Sequence, residues 1–175
     1  MSAQPPSGRV LLGDTSPSAP AAAGDAFARR AAQALWAAGG VIVIGTLLDW
    51  LVLWLLQRQP STQWEYVAFQ NSLEAIPRAA IGLALIACGL HLGRVRSAAA
   101  FRVLGAAFFV LALAAAVIGV LLVMDYFVLG KMVAGRAPAA HAMLKTVTAR
   151  SLGLSALFTI VLGVTGLVGM RRLRA

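Results

Sequence analysis

Four long apolar stretches with almost no charge constrain this chain more than any other feature. The stretches and the charged residues inside them are 31–57 (Asp49), 79–93 (none), 103–130 (Asp125) and 151–170 (none). A helix of about 20 apolar residues can cross the hydrocarbon core of a bilayer, and it satisfies its own backbone hydrogen bonds there. The sequence therefore predicts an all-α integral membrane protein in contact with the lipid bilayer.

The composition supports one small membrane domain and argues against a nucleic-acid-binding protein. The chain has 175 residues, of which 60% are hydrophobic and 12% are charged, whereas a soluble domain carries about 25% charged residues. Its net charge of +9 comes from Lys and Arg at the ends of apolar stretches, as is typical of membrane proteins. No basic stripe with interleaved aromatic residues is present, so we expect no nucleic-acid partner.

The predicted architecture is a four-helix transmembrane bundle preceded by a short tail. Residues 1–28 are rich in Pro, Ser, Ala and Gly and are predicted to be a disordered cytoplasmic tail. The predicted domain covers 29–175, with spans at about 32–57, 73–93, 103–130 and 151–170. Pro60 is expected to end the first span, and Asn71-Ser72 to cap the second.

The two connections on the far side of the membrane are predicted to lie at the headgroup level. The segment 59–71 contains Trp64, Tyr66 and Phe69, and aromatic side chains commonly form an interfacial belt. The segment 130–150 is predicted to form a short amphipathic helix on the membrane surface.

The distribution of Lys and Arg predicts the orientation. Eight positive charges flank the short segments next to the chain ends and the second connection, whereas six are spread over the two longer connections. This difference favours both termini in the cytoplasm of a bacterial cell, with the protein in the inner membrane.

A local similarity between the first and third spans predicts two tandem helical hairpins. The sequence from Asp49 to Leu53 (DWLVL) aligns with that from Asp125 to Leu129 (DYFVL). Each following span begins with an arginine, Arg78 or Arg150. A duplication would explain the pattern, but a chance similarity between membrane helices is an open alternative.

The two acidic residues inside apolar stretches are the first candidate functional residues. A carboxylate in hydrocarbon costs several kcal/mol unless it is paired, protonated or hydrated. Arg78 and Arg150 are on the same side of the membrane, so we expect them to form intramembrane ion pairs with Asp49 and Asp125. A proton or ion pathway and the binding of a partner are the alternative interpretations.

Small residues at helical spacing predict close helix packing. The fourth span contains Ser151, Ser155, Thr159 and Gly163, and the second contains the pair Gly89 and Gly93. Such residues let the backbones of two helices approach each other. Packing within one bundle is the simpler interpretation, whereas contact with another subunit, as in a homo-oligomer, is the alternative.

No pattern in the sequence predicts catalysis, a cofactor or a metal site. His91 and His141 fall on opposite sides of the predicted membrane, so they cannot bind the same haem or metal ion. No phosphate-binding loop, zinc-protease motif or Ser/His/Asp set is present. The single cysteine, Cys88, is predicted to be a packing residue. We therefore expect a protein that is not an enzyme.

A resemblance to a known family rests on the first two spans. The residues that carry it are 47–53 (LLDWLVL), Pro60, Trp64 and 78–85 (RAAIGLAL). This pattern resembles the HpsJ-type membrane proteins, which are associated with hormogonium polysaccharide production and exosortase-linked export in cyanobacteria. The resemblance implies no catalytic residues. The chain departs from the family pattern in the segment before the last span, which is short here and is often long and polar in the family.

Three functions follow as hypotheses from these observations. The first is a non-enzymatic inner-membrane accessory or scaffold protein that binds other membrane protein subunits, in polysaccharide export or in the assembly of a membrane complex. The second is a structural subunit of a larger photosynthetic or respiratory complex. The third is a small ion- or proton-coupled transporter that uses its intramembrane aspartates.

Overall fold

The computed structural model describes residues 19–95, 97–134 and 137–171, with side chains from Gly24 onward. Its elements are α1 (Ala19–Leu51), a π-helical turn (Val52–Leu56), α2 (Thr62–Leu92), α3 (Ala98–Val133) and α4 (Pro138–Arg171). Each helix, taking α1 together with the π-helical turn, is long and apolar enough to cross a membrane. The predicted all-α, four-helix membrane fold is confirmed.

The helices are longer than the predicted spans and replace most of the predicted connections. They contain 33, 31, 36 and 34 residues, whereas about 20 residues suffice to cross the hydrocarbon core. The described part of the first helix runs from Ala19 and includes residues 19–28 of the predicted tail, whereas residues 1–18 lie outside the described part. All four helices must therefore extend beyond the hydrocarbon core.

For the same reason, most of the two segments predicted as connections, 59–71 and 130–150, belongs to the long helices. The start of α2 is capped by Ser61, whose hydroxyl accepts a hydrogen bond from the backbone N–H of Trp64 at 3.2 Å. Asn71 and Ser72 lie inside the helix. In the other hairpin, α3 continues to Val133 and α4 begins at Pro138, so the segment predicted as a short surface helix belongs largely to α3 and α4. A helix continues wherever no residue breaks it, and Pro is well tolerated at the first position of a helix.

The four helices pack as two antiparallel hairpins, α1 with α2 and α3 with α4, joined by a contact between α2 and α3. We call the end of the bundle with the start of α1, the α2–α3 connection and the end of α4 the terminal end. The opposite end, with the α1–α2 and α3–α4 connections, is the distal end. The shared origin of the two hairpins stays a prediction.

The core is centred on α3. Its inward residues recur with alternating spacings of four and three, as in a helix packed along a left-handed seam: Leu104, Phe108, Leu111, Ala115, Ile118, Leu122, Asp125 and Leu129. Leu122 and Ala115 have no exposed surface. All of these residues except Asp125 belong to the apolar core or pack against it. An acid therefore occupies a position in the inward-facing seam of α3.

Glycines set the closest approach of α1 and α2. A Cβ atom on Gly39 would lie 2.5 Å from the carbonyl oxygen of Gly82, and a Cβ atom on Gly82 would lie 2.9 Å from that of Gly39. The α3–α4 hairpin has a similar crossing, because a Cβ on Gly166 would lie 2.8 Å from the carbonyl oxygen of Gly105. Backbone atoms cannot move aside as a flexible side chain can, so both crossings require glycine.

Gly39→Ala is expected to destabilise the bundle, whereas Gly40→Ala is not. A Cβ atom on Gly40 meets nothing within 4 Å, so this neighbour is a matched control that gains up to about 1 kcal/mol of helix propensity. The clash at Gly39 should cost about 1–3 kcal/mol, the usual range for overpacking. Thermal unfolding of both purified variants in one detergent, followed by circular dichroism, measures the difference. A Gly39→Ala variant that melts at or above the wild-type temperature would contradict the close crossing.

Candidate functional site

Polar side chains gather in two places at the distal end. The flank groove lies on the side of the α1–α2 hairpin and is lined by Asp49, Trp50, Gln57, Asn71 and Arg78, together with Val52, Leu53 and Ala75. The interior cluster is defined as distal-end residues of α2, α3 and α4 with buried polar atoms, together with Glu65, whose charge acts on Asp125: Tyr66, Gln70, Asp125, His141 and Thr148. Each predicted acid belongs to one of these two groups.

The flank groove contains an ion pair between two predicted site residues. The Nη1 atom of Arg78 lies 3.8 Å from the Oδ2 atom of Asp49. Their side chains are 58% and 74% exposed, respectively, so the pair faces outward from the bundle. The groove beside it has a volume of about 310 Å³. Both charges are therefore accessible to whatever surrounds this side of the protein.

A single hydroxyl group fixes the α1 side of the groove. The indole N–H groups of Trp50 and Trp54 both donate to the Oγ atom of Ser72, at 3.1 and 3.0 Å. Ser72 donates in turn to the backbone oxygen of Ala68 at 2.8 Å. A hydroxyl has one donor and two acceptor sites, so every site on this buried group is used.

Aromatic contacts extend from Trp54 and hold the end of α1 against α2. The ring of Trp54 lies 5.4 Å from that of Trp64 in an edge-to-face arrangement and 5.3 Å from that of Phe69. The sequence predicted an interfacial belt for Trp64 and Phe69 and did not predict these contacts. The recurrence of Trp at positions 50 and 54, one turn apart, was the available signal.

A π-helical turn brings the polar residue Gln57 to the groove. Residues Val52–Leu56 form this turn, and the N–H of Gln57 donates to the carbonyl of Val52 at 3.2 Å. Short π-helical segments are rare and are frequently found at functional sites. The turn begins three residues after Asp49, so the irregular backbone and the ion pair belong to the same part of the molecule.

The interior cluster contains a buried hydrogen bond and several unpaired polar atoms. The hydroxyl groups of Tyr66 and Thr148 lie 2.6 Å apart and link α2 to α4. Within the described residues, the buried atoms Asp125 Oδ2, Gln70 Nε2 and His141 Nδ1 have no hydrogen-bond partner. Glu65 is close enough to Asp125 for their charges to interact. The Asp125 carboxyl group therefore has a buried oxygen without a hydrogen-bond partner and no cation of the described residues paired with it.

Asp125 and Arg150 do not form the predicted ion pair. Over the part of the chain that the structure describes, the only ion pairs are Asp49–Arg78 and one between Asp25 and Arg94 at the terminal end. Arg150 is exposed, whereas the adjacent Ser151 is buried. Neighbouring residues on a helix point about 100° apart, so the face that buries Ser151 turns Arg150 away from Asp125.

The predicted packing residues of α4 lie in contacts within the chain. Ser155 donates a hydrogen bond across to the carbonyl of Ala115 at 2.7 Å, and Thr159 contacts that of Ala112 at 3.4 Å. Ser151 is buried on the same face. A Cβ on Gly163 would make ordinary contact with Ala112. These residues therefore hold α4 against α3.

Gly89 and Gly93 pack against α1. A Cβ on Gly89 would meet the indole of Trp36 and the carbonyl oxygen of Ala32, and one on Gly93 would lie 3.5 Å from the Ala32 side chain. Both predicted packing sets therefore serve the bundle itself. Among the described residues, no group of three His, Cys, Asp or Glu side chains is placed to hold a metal ion.

The charged residues mark two levels along the helices. Four intervals connect a basic residue at the terminal end with the next charge toward the distal end: Arg30 to Asp49, Arg94 to Arg78, Arg102 to Asp125 and Arg171 to Arg150. At a rise of about 1.5 Å per residue these intervals measure roughly 24–35 Å, close to the thickness of about 30 Å of a hydrocarbon core. The charges at the distal level therefore lie where a membrane that starts at the basic residues would reach its second headgroup layer.

Comparisons of the chain with protein-family models, with curated proteins and with solved structures find no match. The geometry of the two polar groups is therefore the basis for any functional conclusion.

Ser72→Ala is expected to loosen the end of α1. The change leaves two indole N–H groups without their shared acceptor, which should cost about 1–3 kcal/mol, and it should shift the tryptophan emission. Thr146→Ala is the matched control, because that exposed hydroxyl bonds only to Ala142 of its own helix. Thermal unfolding and fluorescence spectra of both variants measure the effect. Equal behaviour of the two variants would contradict the anchoring role of Ser72.

Proposed function

We propose that the protein is a non-enzymatic accessory subunit of a membrane machine in the bacterial inner membrane, and that α1 is the helix that contacts the partner. The observation that supports this proposal is the small share of α1 that is buried against its own bundle. Both termini are proposed to be cytoplasmic, following the distribution of basic residues.

The contact between α1 and α2 uses a narrow stripe. The buried residues of α1 are Ala32, Gly39 and Thr46, one in every seven. Large apolar side chains cover the rest of the helix, and Val41 and Ile44 are 71% and 60% exposed. By contrast, α3 packs against neighbours on two sides and supplies most of the core. The first helix is therefore the element with the most surface left for another protein.

Two further glycines of α1 are open to such a contact. Cβ atoms on Gly40 and Gly45 would meet nothing within 4 Å. Helix association in lipid depends on close packing at small residues, because lipid chains are as apolar as the helices themselves. Open glycines beside exposed apolar residues fit the approach of a partner helix better than they fit a surface that contacts lipid alone.

The resemblance to HpsJ-type proteins favours polysaccharide export as the setting of this machine. A structural subunit of a photosynthetic or respiratory complex is the alternative setting, with the same partner-binding helix. Neighbouring genes distinguish the two, since export and glycosyltransferase genes fit the first and electron-transfer genes fit the second.

A photo-crosslinking residue at Val41 is expected to give a discrete protein adduct in native membranes, whereas one at Val117 is not. Val117 is a matched control, because it is an exposed valine at mid-helix on α3, 56% exposed. Mass spectrometry of the adduct identifies the partner, and reporter fusions at Ala175 test the proposed orientation. Lipid adducts alone at Val41, or equal protein adducts at both positions, would contradict the proposal.

A second function, proton or ion transport, is favoured by one specific observation. Asp125 lies on the inward-facing seam of α3, its buried Oδ2 atom has no hydrogen-bond partner, it belongs to none of the ion pairs of the described residues, and its charge interacts with that of Glu65. A carboxyl group kept in a bundle without a cation commonly serves an ion or proton pathway. Tyr66, Thr148 and His141 supply further groups along the same interior.

The transport alternative predicts that Asp125→Asn abolishes a flux that Glu74→Gln leaves intact. Glu74 is an exposed acid on α2 and serves as the control. The purified protein is reconstituted in liposomes with a pH gradient, and the decay of the gradient is followed with a trapped dye. If liposomes that contain the wild-type protein keep the pH gradient as long as empty liposomes do, proton transport through this cluster is excluded.

A further inference from the structure

We propose that the flank groove binds the headgroup of a phospholipid that carries both a phosphate and a primary ammonium group. The ligand would sit in the membrane leaflet at the distal end. This proposal does not rest on the partner contacts of α1, since it concerns the polar groove between α1 and α2.

The charges of the groove match such a headgroup. Arg78 and Asp49 present opposite charges 3.8 Å apart, and both are accessible from outside. A guanidinium group binds phosphate oxygens through charge-assisted hydrogen bonds. A carboxylate accepts hydrogen bonds from a primary ammonium, which has three N–H donors. A zwitterion can therefore satisfy both members of the pair at once, whereas an anion alone would leave Asp49 facing a negative charge.

The remaining lining supports the same ligand class. Gln57 and Asn71 supply amide donors and acceptors, and Val52 and Leu53 supply an apolar wall. An adjoining groove of about 590 Å³ shares Leu53, Gln57 and Asn71 with the first and adds Arg58 and Trp64. Volumes of several hundred Å³ are typical of small-molecule sites. The combined surface thus offers polar groups for a headgroup next to apolar residues for the start of its acyl chains.

The depth of the groove agrees with the position of a headgroup. Asp49 lies about 28 Å along α1 from Arg30 at a rise of about 1.5 Å per residue, which is close to the thickness of a hydrocarbon core. An exposed ion pair within hydrocarbon would be costly. At the edge of the core, a zwitterionic headgroup can cover the pair and replace the water it would otherwise need.

Two chemical features of the ammonium group, its N–H donors and its positive charge, can be separated by experiment. Phosphatidylethanolamine has the phosphate and the primary ammonium, phosphatidylcholine lacks N–H donors, and phosphatidylglycerol lacks the cation. The purified full-length protein is delipidated in detergent, supplied with these three lipids of identical acyl chains, and assayed by native mass spectrometry. We expect retention of phosphatidylethanolamine over the other two by about tenfold, the scale of one charge-assisted hydrogen bond.

Substitutions in the groove then assign the selectivity. Arg78→Gln should lower phosphatidylethanolamine retention about tenfold by removing the phosphate contact. Asp49→Asn should chiefly remove the preference over phosphatidylcholine. Arg150→Gln is the matched control, because it removes an exposed arginine outside the groove, and it should leave retention and selectivity unchanged. Circular dichroism of each variant verifies that its helices are intact.

Soluble glycerophosphoethanolamine distinguishes a lipid from a free headgroup. Because the apolar wall of the groove should contribute to binding, the soluble compound at matched concentration should not displace the bound lipid. Displacement of the lipid by this compound would identify a soluble ligand instead. Equal retention of the three lipids by the wild-type protein would overturn the proposal even if a groove variant fails to fold. Equal loss in Arg78→Gln and Arg150→Gln would overturn it as well.

Discussion

The bundle depends on helix backbones that approach each other at glycine and serine positions. Lipid chains and leucine side chains are similarly apolar, so burying a leucine between helices gains little in a membrane. Packing must then come from many close contacts and a few hydrogen bonds. The crossings of Gly39 with Gly82 and of Gly105 with Gly166, together with the bond from Ser155 to Ala115, supply them. The register that these contacts fix also decides which polar groups meet at the distal end.

Much of the fold could be predicted from the sequence because hydrophobic thickness leaves a strong pattern. The lengths of the helices could not, since the aromatic and polar segments 62–72 and 138–150 look like interfacial loops by composition. A helix extends through such segments when no proline or glycine breaks it and a cap such as Ser61 starts it. Hydropathy measures preference for lipid, and it does not measure where a helix stops.

The candidate site was predictable in its charges and less so in its geometry. The pairing of Asp49 with Arg78 followed from their shared side of the membrane. The same reasoning failed for Asp125 and Arg150, because the helix face on which each residue lies mattered more than its depth in the membrane. Ser151 and Thr148 occupy the buried face of α4, and this rotation turns Arg150 outward. The role of Ser72 as a shared acceptor for two indoles depends on a tertiary contact that no local pattern encodes.

The position of the Asp49–Arg78 pair also has a consequence for how the chain is made. Synthesis delivers α1, with its acid, before the arginine that neutralises it has left the ribosome. An isolated α1 would have to carry an uncompensated carboxylate across the hydrocarbon core to its far edge, and its narrow stripe of small residues would have nothing to pack on. The first helix should therefore wait beside the insertion machinery until α2 arrives. The α1–α2 hairpin, rather than either helix alone, would then be the unit of membrane insertion.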